Sequence, residues 1–325
     1  MTPRVSVCVP AYQSAEHLQE TLDSVWGQSF EDFELVVIDD GSADATPEIL
    51  AAQADPRLRA FRHTTNVGQV VTVGETIARA RAPLVKFLDS DDLLHADCLE
   101  TMVAALDAHP EAAFAFSRRE IFSENPDDPR VRHWAAELGD LPGNFDRIEE
   151  VNDGAALLRQ FLAASLAGNW IAEPAGVMAR RADLLAGGGY QRRLRQNNDI
   201  DLWARLMARG AVVFVDRPLY TYRLEFSGVT GGTRDNPVPH WLDPLWIAEG
   251  LTAQEGFPEP QALAAARRRL LRRAVRRVTQ APLRERSMAR SRAADLAAYL
   301  RYRAAARLGR AEPLHLPIPV EAAAD

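Results

Sequence analysis

The sequence predicts an α/β protein, a mostly parallel sheet with helices on both faces over residues 1–230, followed by a mainly helical, arginine-rich extension over 231–325. Three observations predict it. Apolar strand patterns and amphipathic helix patterns alternate four times between Val5 and Leu88 with short connections, and right-handed crossovers assemble such units into a parallel sheet. Polar residues close these strands at Tyr12, Asp39 and Asp89, and ligands bind at that edge of an open α/β sheet. Beyond about Pro260 the strand signals stop and arginine-rich helical spacing takes over.

The elements follow in order. Val5 to Val9 is an apolar strand ended by Pro10-Ala11-Tyr12, and a helix from about Ser14 carries Leu18, Leu22, Val25 and Trp26 at helical spacing. Phe33 to Ile38 is a second strand that stops at the turn Asp39-Asp40-Gly41-Ser42. Ala43 to Ala54 reads as helix, Leu58 to Arg62 as strand, and Gln69 to Ala80 as the helix after Asn66-Val67-Gly68. Ala82 to Leu88 has the length and branched content of a buried parallel strand. A helix at Asp97 to Ala108 and a strand at Ala112 to Phe116 come next. Asn125 to Phe145 is rich in Asp, Pro, Gly and Arg and reads as a mobile loop over the site or an inserted surface segment. A helix at Asp153 to Ala167, a strand at Ala175 to Ala179, the turn Gly187-Gly188-Gly189-Tyr190, a helix at Asp199 to Arg209 and a strand at Val212 to Val215 close the main unit.

Totals narrow the function classes. At 325 residues, with 47% hydrophobic and 26% charged residues, the chain suits a soluble globular protein. No apolar run reaches the length of a membrane span, since the best candidate, Ala155 to Ala167, is broken by Arg159 and Gln160. The N-terminus goes almost directly into a strand without a signal-peptide pattern, and Cys8 and Cys98 fit a reducing compartment, so a cytoplasmic location is expected. The net charge of -7 conceals fifteen arginines against Glu285 and Asp295 between Gln261 and Arg310, a local +13 that leaves -20 for the remainder. An acidic main unit argues against a nucleic-acid surface there.

Leu88-Asp89-Ser90-Asp91-Asp92 is the stretch with the clearest chemistry. Three carboxylates within four residues repel one another unless a cation lies between them, and oxygen donors suit Mg²⁺ or Mn²⁺. The same residues also suit a solvated turn capping the helix that starts near Ala96. Lone histidines such as His63 and His95 have no partner pattern and read as surface residues.

Read together, these motifs resemble a family 2 glycosyltransferase of the GT-A, Rossmann-like fold, over roughly residues 4 to 226 and in that family's order. The resemblance rests on Val5 to Gln13, on Gln28-Ser29-Phe30 through Phe33 to Ser42, on Leu88 to Asp92, and on Asn198-Asp199-Ile200-Asp201-Leu202-Trp203. It implies an inverting, metal-dependent transfer of a sugar from a nucleotide donor to a hydroxyl of a saccharide or lipid-linked acceptor, in cell-surface polysaccharide synthesis. The donor nucleotide would then lie against Pro10, Ala11, Tyr12, Asp39, Asn66, Gly68, Asp89 and Ser90. Asp91 would hold Mg²⁺ or Mn²⁺, and Asp199 would be the general base. Simpler roles stand beside these: Asp39 as a turn residue, Tyr12 as packing, Asp40 as loop support, and Asp199 and Asp201 as first-turn acids favoured by a helix dipole.

Departures from the family pattern bear on activity. Asn198 stands where the family usually has Glu, Val73 and Gly74 where it often has an Arg-Asn pair, and Glu225 where it often has a metal-facing His, so Glu225 is a second candidate metal ligand. A catalytically silent nucleotide- or glycan-binding subunit is the alternative these changes raise. A sugar nucleotidyltransferase would want a glycine-rich basic loop that Pro10-Ala11-Tyr12-Gln13 lacks. In the extension, Leu263, Ala266, Leu270, Leu271, Ala274, Val275 and Val278 form an apolar stripe with arginines on the other positions, and a second helix spans Arg284 to Leu308. That stripe either packs on the acidic main unit or attaches the protein peripherally to an anionic membrane face.

Overall fold

The computed structural model describes residues 2–224, 241–280, 286–315 and Ile318. Its parallel half is formed by β1 (Val5–Ala11), β2 (Phe33–Asp39), β3 (Leu58–Arg62) and β4 (Leu84–Phe87), joined by α1 (Leu18–Trp26), α2 (Thr46–Ala51) and α3 (Gln69–Arg79). Every residue of β2 and β4 is buried, which is why these strands are near-continuous apolar runs: helices cover both faces. Polar exceptions are satisfied internally. Ser6 donates to Glu34 Oε1 at 2.7 Å, and Arg59 meets the other Glu34 oxygen at 3.0 Å.

The second half is mixed. It contains β5 (Leu93–Leu94), α4 (Cys98–Ala108), β6 (Ala112–Phe122), α5 (Pro129–Leu138), β7 (Val151–Asn152), α6 (Gly154–Ala163), β8 (Val177–Arg180), α7 (Arg181–Gly187), α8 (Asn198–Met207) and β9 (Ala211–Arg223). Among the described residues nine strands make one sheet in the order β3-β2-β1-β4-β8-β6-β9-β5, with β7 also on β9. β8 runs antiparallel between β4 and β6, whereas β6 and β9 pair in parallel.

Four elements depart most from expectation. The 125–145 segment, read as a loop or insertion, contains α5, whose Asp128 side chain accepts the Arg130 N–H and whose first residue is Pro129. Asp and Pro, taken as loop composition, here act as helix-start residues. β6 and β9 outrun their predicted ends because register shifts between Ser117 and Arg119 absorb the Pro218 region. The helix expected from Ser14 begins instead at Leu18, after a turn closed by the Leu18 N–H to the Ser14 carbonyl at 2.9 Å.

The C-terminal helices are α9 (Asp243–Thr252), α10 (Pro260–Thr279) and α11 (Arg286–Arg307). Leu263, Ala266, Leu270 and Ala274 of α10 are buried in the same apolar core as Val73 and Ile77 of α3, Leu158 and Phe161 of α6 and Trp203 of α8. Those four residues of the stripe are therefore used in packing, Leu271 and Val278 are partly buried, and Val275 is exposed. Arg159 of α6 meets Glu259, just before α10, at 2.6 Å and so joins the main unit to the extension, while Arg267 of α10 meets Glu249 of α9 at 3.6 Å within the extension. Among the described residues no helix is long and apolar enough to cross a membrane. The opposite face of the sheet is covered by α1 and α4 through Leu18, Leu22, Leu99 and Met102.

Candidate active site

Parallel pairing brings the C-terminal ends of β1, β2 and β4 side by side, with Ala11 opposite Asp39 and Cys8 opposite Phe87. At the end of β1, Tyr12 is 51% exposed, so its ring is a surface platform and not a packing residue. Pro10 and Ala11 lie inside the strand, and the Ala11 carbonyl accepts the Asp40 N–H at 2.8 Å. Gln13, at φ +52, receives the Ala43 and Asp44 amides on its side-chain oxygen and so locks the β1 and β2 ends together.

Asp39 is fully buried. Its Oδ1 accepts the Ser42 N–H at 2.9 Å, and its Oδ2 lies 3.0 Å from Arg62 Nε without an aligned hydrogen bond. Asp40 accepts the Val67 and Gly68 N–H groups at 2.8 and 2.9 Å and meets His63 Nδ1 at 2.8 Å. These bonds hold its carboxyl below the usual carboxylate range despite its burial. Asp40 thereby fixes the Asn66 to Gly68 loop, where Asn66 is exposed and Gly68 turns at φ +92. His63 and His95 are not unpartnered surface residues: His63 also meets Glu75 at 3.2 Å, and His95 meets Thr221 Oγ1 at 3.2 Å. Both contacts join residues distant in sequence, which no local pattern reveals.

After β4 the acidic motif divides its labour. Ser90 Oγ lies 2.7 Å from Ser14 Oγ, linking this loop to the β1 end. Asp92 is buried, accepting the Arg223 N–H at 2.9 Å, while Arg223 Nε donates to the Asp91 carbonyl at 3.0 Å. Asp89 is pushed up to about 8, by burial first and then by the Asp91, Asp199 and Glu173 charges. These acids therefore share one electrostatic neighbourhood. Among the described residues no three His, Cys, Asp or Glu side chains form a ready metal cage. Glu225, the second candidate ligand, lies outside the described residues.

Asp199 sits in the first turn of α8, and Asn169 Nδ2 donates to its Oδ2 at 3.1 Å. Its carboxyl is raised to about 7, chiefly by burial and also by the Glu173 charge, against the opposing pull of backbone N–H groups. Neighbouring Asp201 has a different task. It is fully buried, bonds Arg205 and His315 at 3.0 Å each, and stays below the usual carboxylate range because of the Arg205 guanidinium and these hydrogen bonds. Arg205 in turn donates to the carbonyls of Gly187, Gly188 and Gly189, which explains the triple-glycine turn as a guanidinium cradle. Asn198 is buried, its side-chain oxygen without a hydrogen-bond partner among the described residues.

Comparison with known proteins settles the family. The model of "Glycosyl transferase family 2" matches residues 6–164. An uncharacterized protein of Mycobacterium tuberculosis is 33% identical over 221 residues, 68% of this chain and 67% of that one. The chain belongs to glycosyltransferase family 2. A putative teichuronic acid biosynthesis glycosyltransferase of Bacillus subtilis, TuaG, is 31% identical over 125 residues, 38% of this family 2 chain and 49% of the relative. Among solved structures, S. aureus TarS 1-349 in complex with UDP-GlcNAc superposes at a TM-score of 0.64 with 18% identity, over 90% of this chain and 80% of that one. A mannosyltransferase of Pyrobaculum calidifontis, in complex with GDP-Man and Mn²⁺, gives 0.59 with 20% identity over 95% and 79%. Those two likenesses show the shared GT-A fold.

Two residues of this candidate site were not visible in the sequence. Glu173, just before the short turn Pro174–Gly176, receives Arg119 at 2.9 and 3.0 Å and the Tyr220 hydroxyl at 2.6 Å, and its charge acts on both Asp89 and Asp199. Asp243, at the start of α9, accepts the Gln196 and Asn197 N–H groups at 3.0 and 3.2 Å and so braces the loop leading into Asp199. Neither has a motif around it. Only their positions against distant elements give them a role.

Proposed function

We propose that this glycosyltransferase moves a sugar from a nucleoside diphosphate donor, laid across the ends of β1, β2 and β4, to an acceptor hydroxyl activated by Asp199, with inversion of the anomeric centre. The observation that carries the proposal is Asp199 in the first turn of α8, oriented by Asn169 at 3.1 Å, with burial raising its carboxyl to about 7. A general base works best when its pKa lies near the operating pH. Asp199 takes the hydroxyl proton as the acceptor oxygen bonds to the anomeric carbon, and the bond from that carbon to the diphosphate oxygen breaks. Single displacement from the opposite face inverts the configuration.

Tyr12 offers its ring to the base, Asp39 accepts a base N–H once the exposed Arg62 side chain turns away from its Oδ2, and Asp40 holds Asn66 to Gly68 against the nucleotide. Asp89 and Ser90 face the ribose. Asp89 and Asp91 have the hard-oxygen chemistry of a Mg²⁺ or Mn²⁺ site, with Glu225 a further candidate ligand, and the remaining positions would suit water and donor phosphates. Such an ion would offset negative charge on the departing diphosphate. The Mn²⁺ complex of the archaeal mannosyltransferase supports divalent metal use, and the TuaG likeness supports a role in polysaccharide synthesis.

The proposed domain division, catalytic through residue 230 and helical beyond, is functional and not mechanical, because α9 braces the catalytic loop. Release of nucleoside diphosphate from a panel of UDP-, GDP-, dTDP- and CDP-sugars tests the function, wild type against Asp199→Asn. Turnover with one donor, reduced on the order of 10²-fold or more in the variant, is expected. Donor binding without turnover in the wild type across saccharide acceptors would favour a silent subunit.

A further inference from the structure

A cleft of about 520 Å³ opens between the main unit and the C-terminal helices. One wall is formed by Gly168 and Asn197, and the other carries Arg273 and Arg277 of α10, Arg292 of α11 and Trp241. The first wall adjoins the proposed catalytic base. Asn169, next to Gly168, donates to Asp199, and Asn197 lies two residues before that base. Resting on the transferase reading above, we propose that this cleft binds a phosphate or diphosphate group carried by the acceptor, while the acceptor hydroxyl reaches Asp199.

Charge is the first argument. Three arginines of the extension have partners outside the cleft: Arg267 and Arg303 share Glu249, and Arg269 donates to the Leu162 and Ala163 carbonyls at the end of α6. Arg273 and Arg277 are exposed, line the cleft, and make no ion pair with a carboxylate among the described residues. Like charges four apart on a helix repel, so an anion bridging them relieves a cost already present in the free protein. Guanidinium groups bind phosphate oxygens through paired, charge-assisted hydrogen bonds.

Shape is the second. Trp241 is partly buried and held by its Nε1–H to Asp295 Oδ2 at 3.3 Å, which leaves an aromatic surface on the cleft for the apolar face of a sugar. Asp243 pins the Asn197 wall from α9, so the cleft has a fixed side. The acidic remainder of the chain would repel a phosphorylated acceptor elsewhere, which gives this basic cleft a steering role.

The test uses the full chain and inorganic pyrophosphate, titrated calorimetrically in EDTA into wild type, Asp91→Ala, and the double variant Arg273→Gln/Arg277→Gln. Because both substituted arginines are exposed, the double variant is expected to fold, and its melting curve checks this. Pyrophosphate should bind wild type and Asp91→Ala alike, and lose roughly tenfold or more in affinity in the double variant. Absence of binding, binding unchanged in the double variant, or binding lost in Asp91→Ala overturns the proposal. Nucleotide binding is read separately through Asp91→Ala, so a chain that binds pyrophosphate in the cleft but no nucleotide sinks the transferase reading and leaves the anion site standing. Sedimentation with phosphatidylcholine vesicles, with and without phosphatidic acid, distinguishes the source. Capture that pyrophosphate displaces assigns the group to a lipid, and pyrophosphate binding without capture assigns it to a soluble phosphorylated glycan.

Discussion

Replacing Asp199 by Asn should stabilise the protein while removing most of its turnover. The carboxyl ionises near 3.8 when unfolded and near 7 in the folded chain. Between those values the native state holds a proton that the unfolded state has released, so stability falls as pH rises, by about 1.36 kcal/mol per unit. The cost is absent below the lower value, accumulates to at most about 4 kcal/mol, and is constant above the higher one. Asn cannot ionise, and its amide oxygen still accepts from Asn169. Melting of wild type and Asp199→Asn at pH 4 and pH 8 reads the effect: near-equal midpoints in acid, and a variant several degrees more stable at pH 8. As the proposed base, the same group should set the rate. With a base titrating near 7, about a tenth of the enzyme is competent at pH 6, so kcat/KM should rise roughly tenfold from pH 6 to pH 8. Equal midpoints at both pH values, together with a flat rate profile, would refute a buried, proton-accepting Asp199.

Four further outcomes follow from the same geometry. Glu173→Gln removes a charge that raises Asp199 and leaves Arg119 in place, so the acidic limb of the rate profile should move to lower pH; a limb that moves up contradicts the coupling. Arg205→Ala strands the buried Asp201 and three glycine carbonyls, and should cost roughly 3–5 kcal/mol in denaturant unfolding. Gly41→Ala places a Cβ about 2.7 Å from the Thr65 carbonyl carbon at φ +74, so it should shift the Asn66 loop and raise the donor KM more than it lowers kcat. Asp243→Ala, which leaves the Gln196 and Asn197 amides without their acceptor, should lower kcat with little change in nucleotide affinity, as measured by paired turnover and binding titrations.

How much of this was legible depends on the range of the contacts. The parallel half was readable because each strand is short, apolar and closed by its own polar residue: Asp39 and Asp89 announce the sheet edge locally. β6 and β9 were underread because their length depends on pairing with each other across register shifts, not on either segment's composition. α5 was hidden by an N-cap and a proline that also occur in loops. Within the site, Asp199 stands in a motif, whereas Glu173 and Asp243 act through partners 26 and 46 residues away in the chain. Asp201 and Asp199 look alike in sequence. One faces Arg205 and His315, the other a set of carboxylates, and only packing separates a structural anion from a candidate base.

The central claim is that the β1, β2 and β4 ends form a metal-assisted nucleotide site, and thermal shift against UDP, GDP, dTDP and CDP, each with Mn²⁺, Mg²⁺ or EDTA, tests it most directly. A ligand at a hundredfold excess over its dissociation constant stabilises by about 2.7 kcal/mol, which is a readily resolved shift in a chain of this size. The account predicts stabilisation by one nucleotide in the presence of metal, lost in EDTA and in Asp91→Ala. No stabilisation by any nucleotide under any metal condition, or a shift indifferent to Asp91, would contradict it.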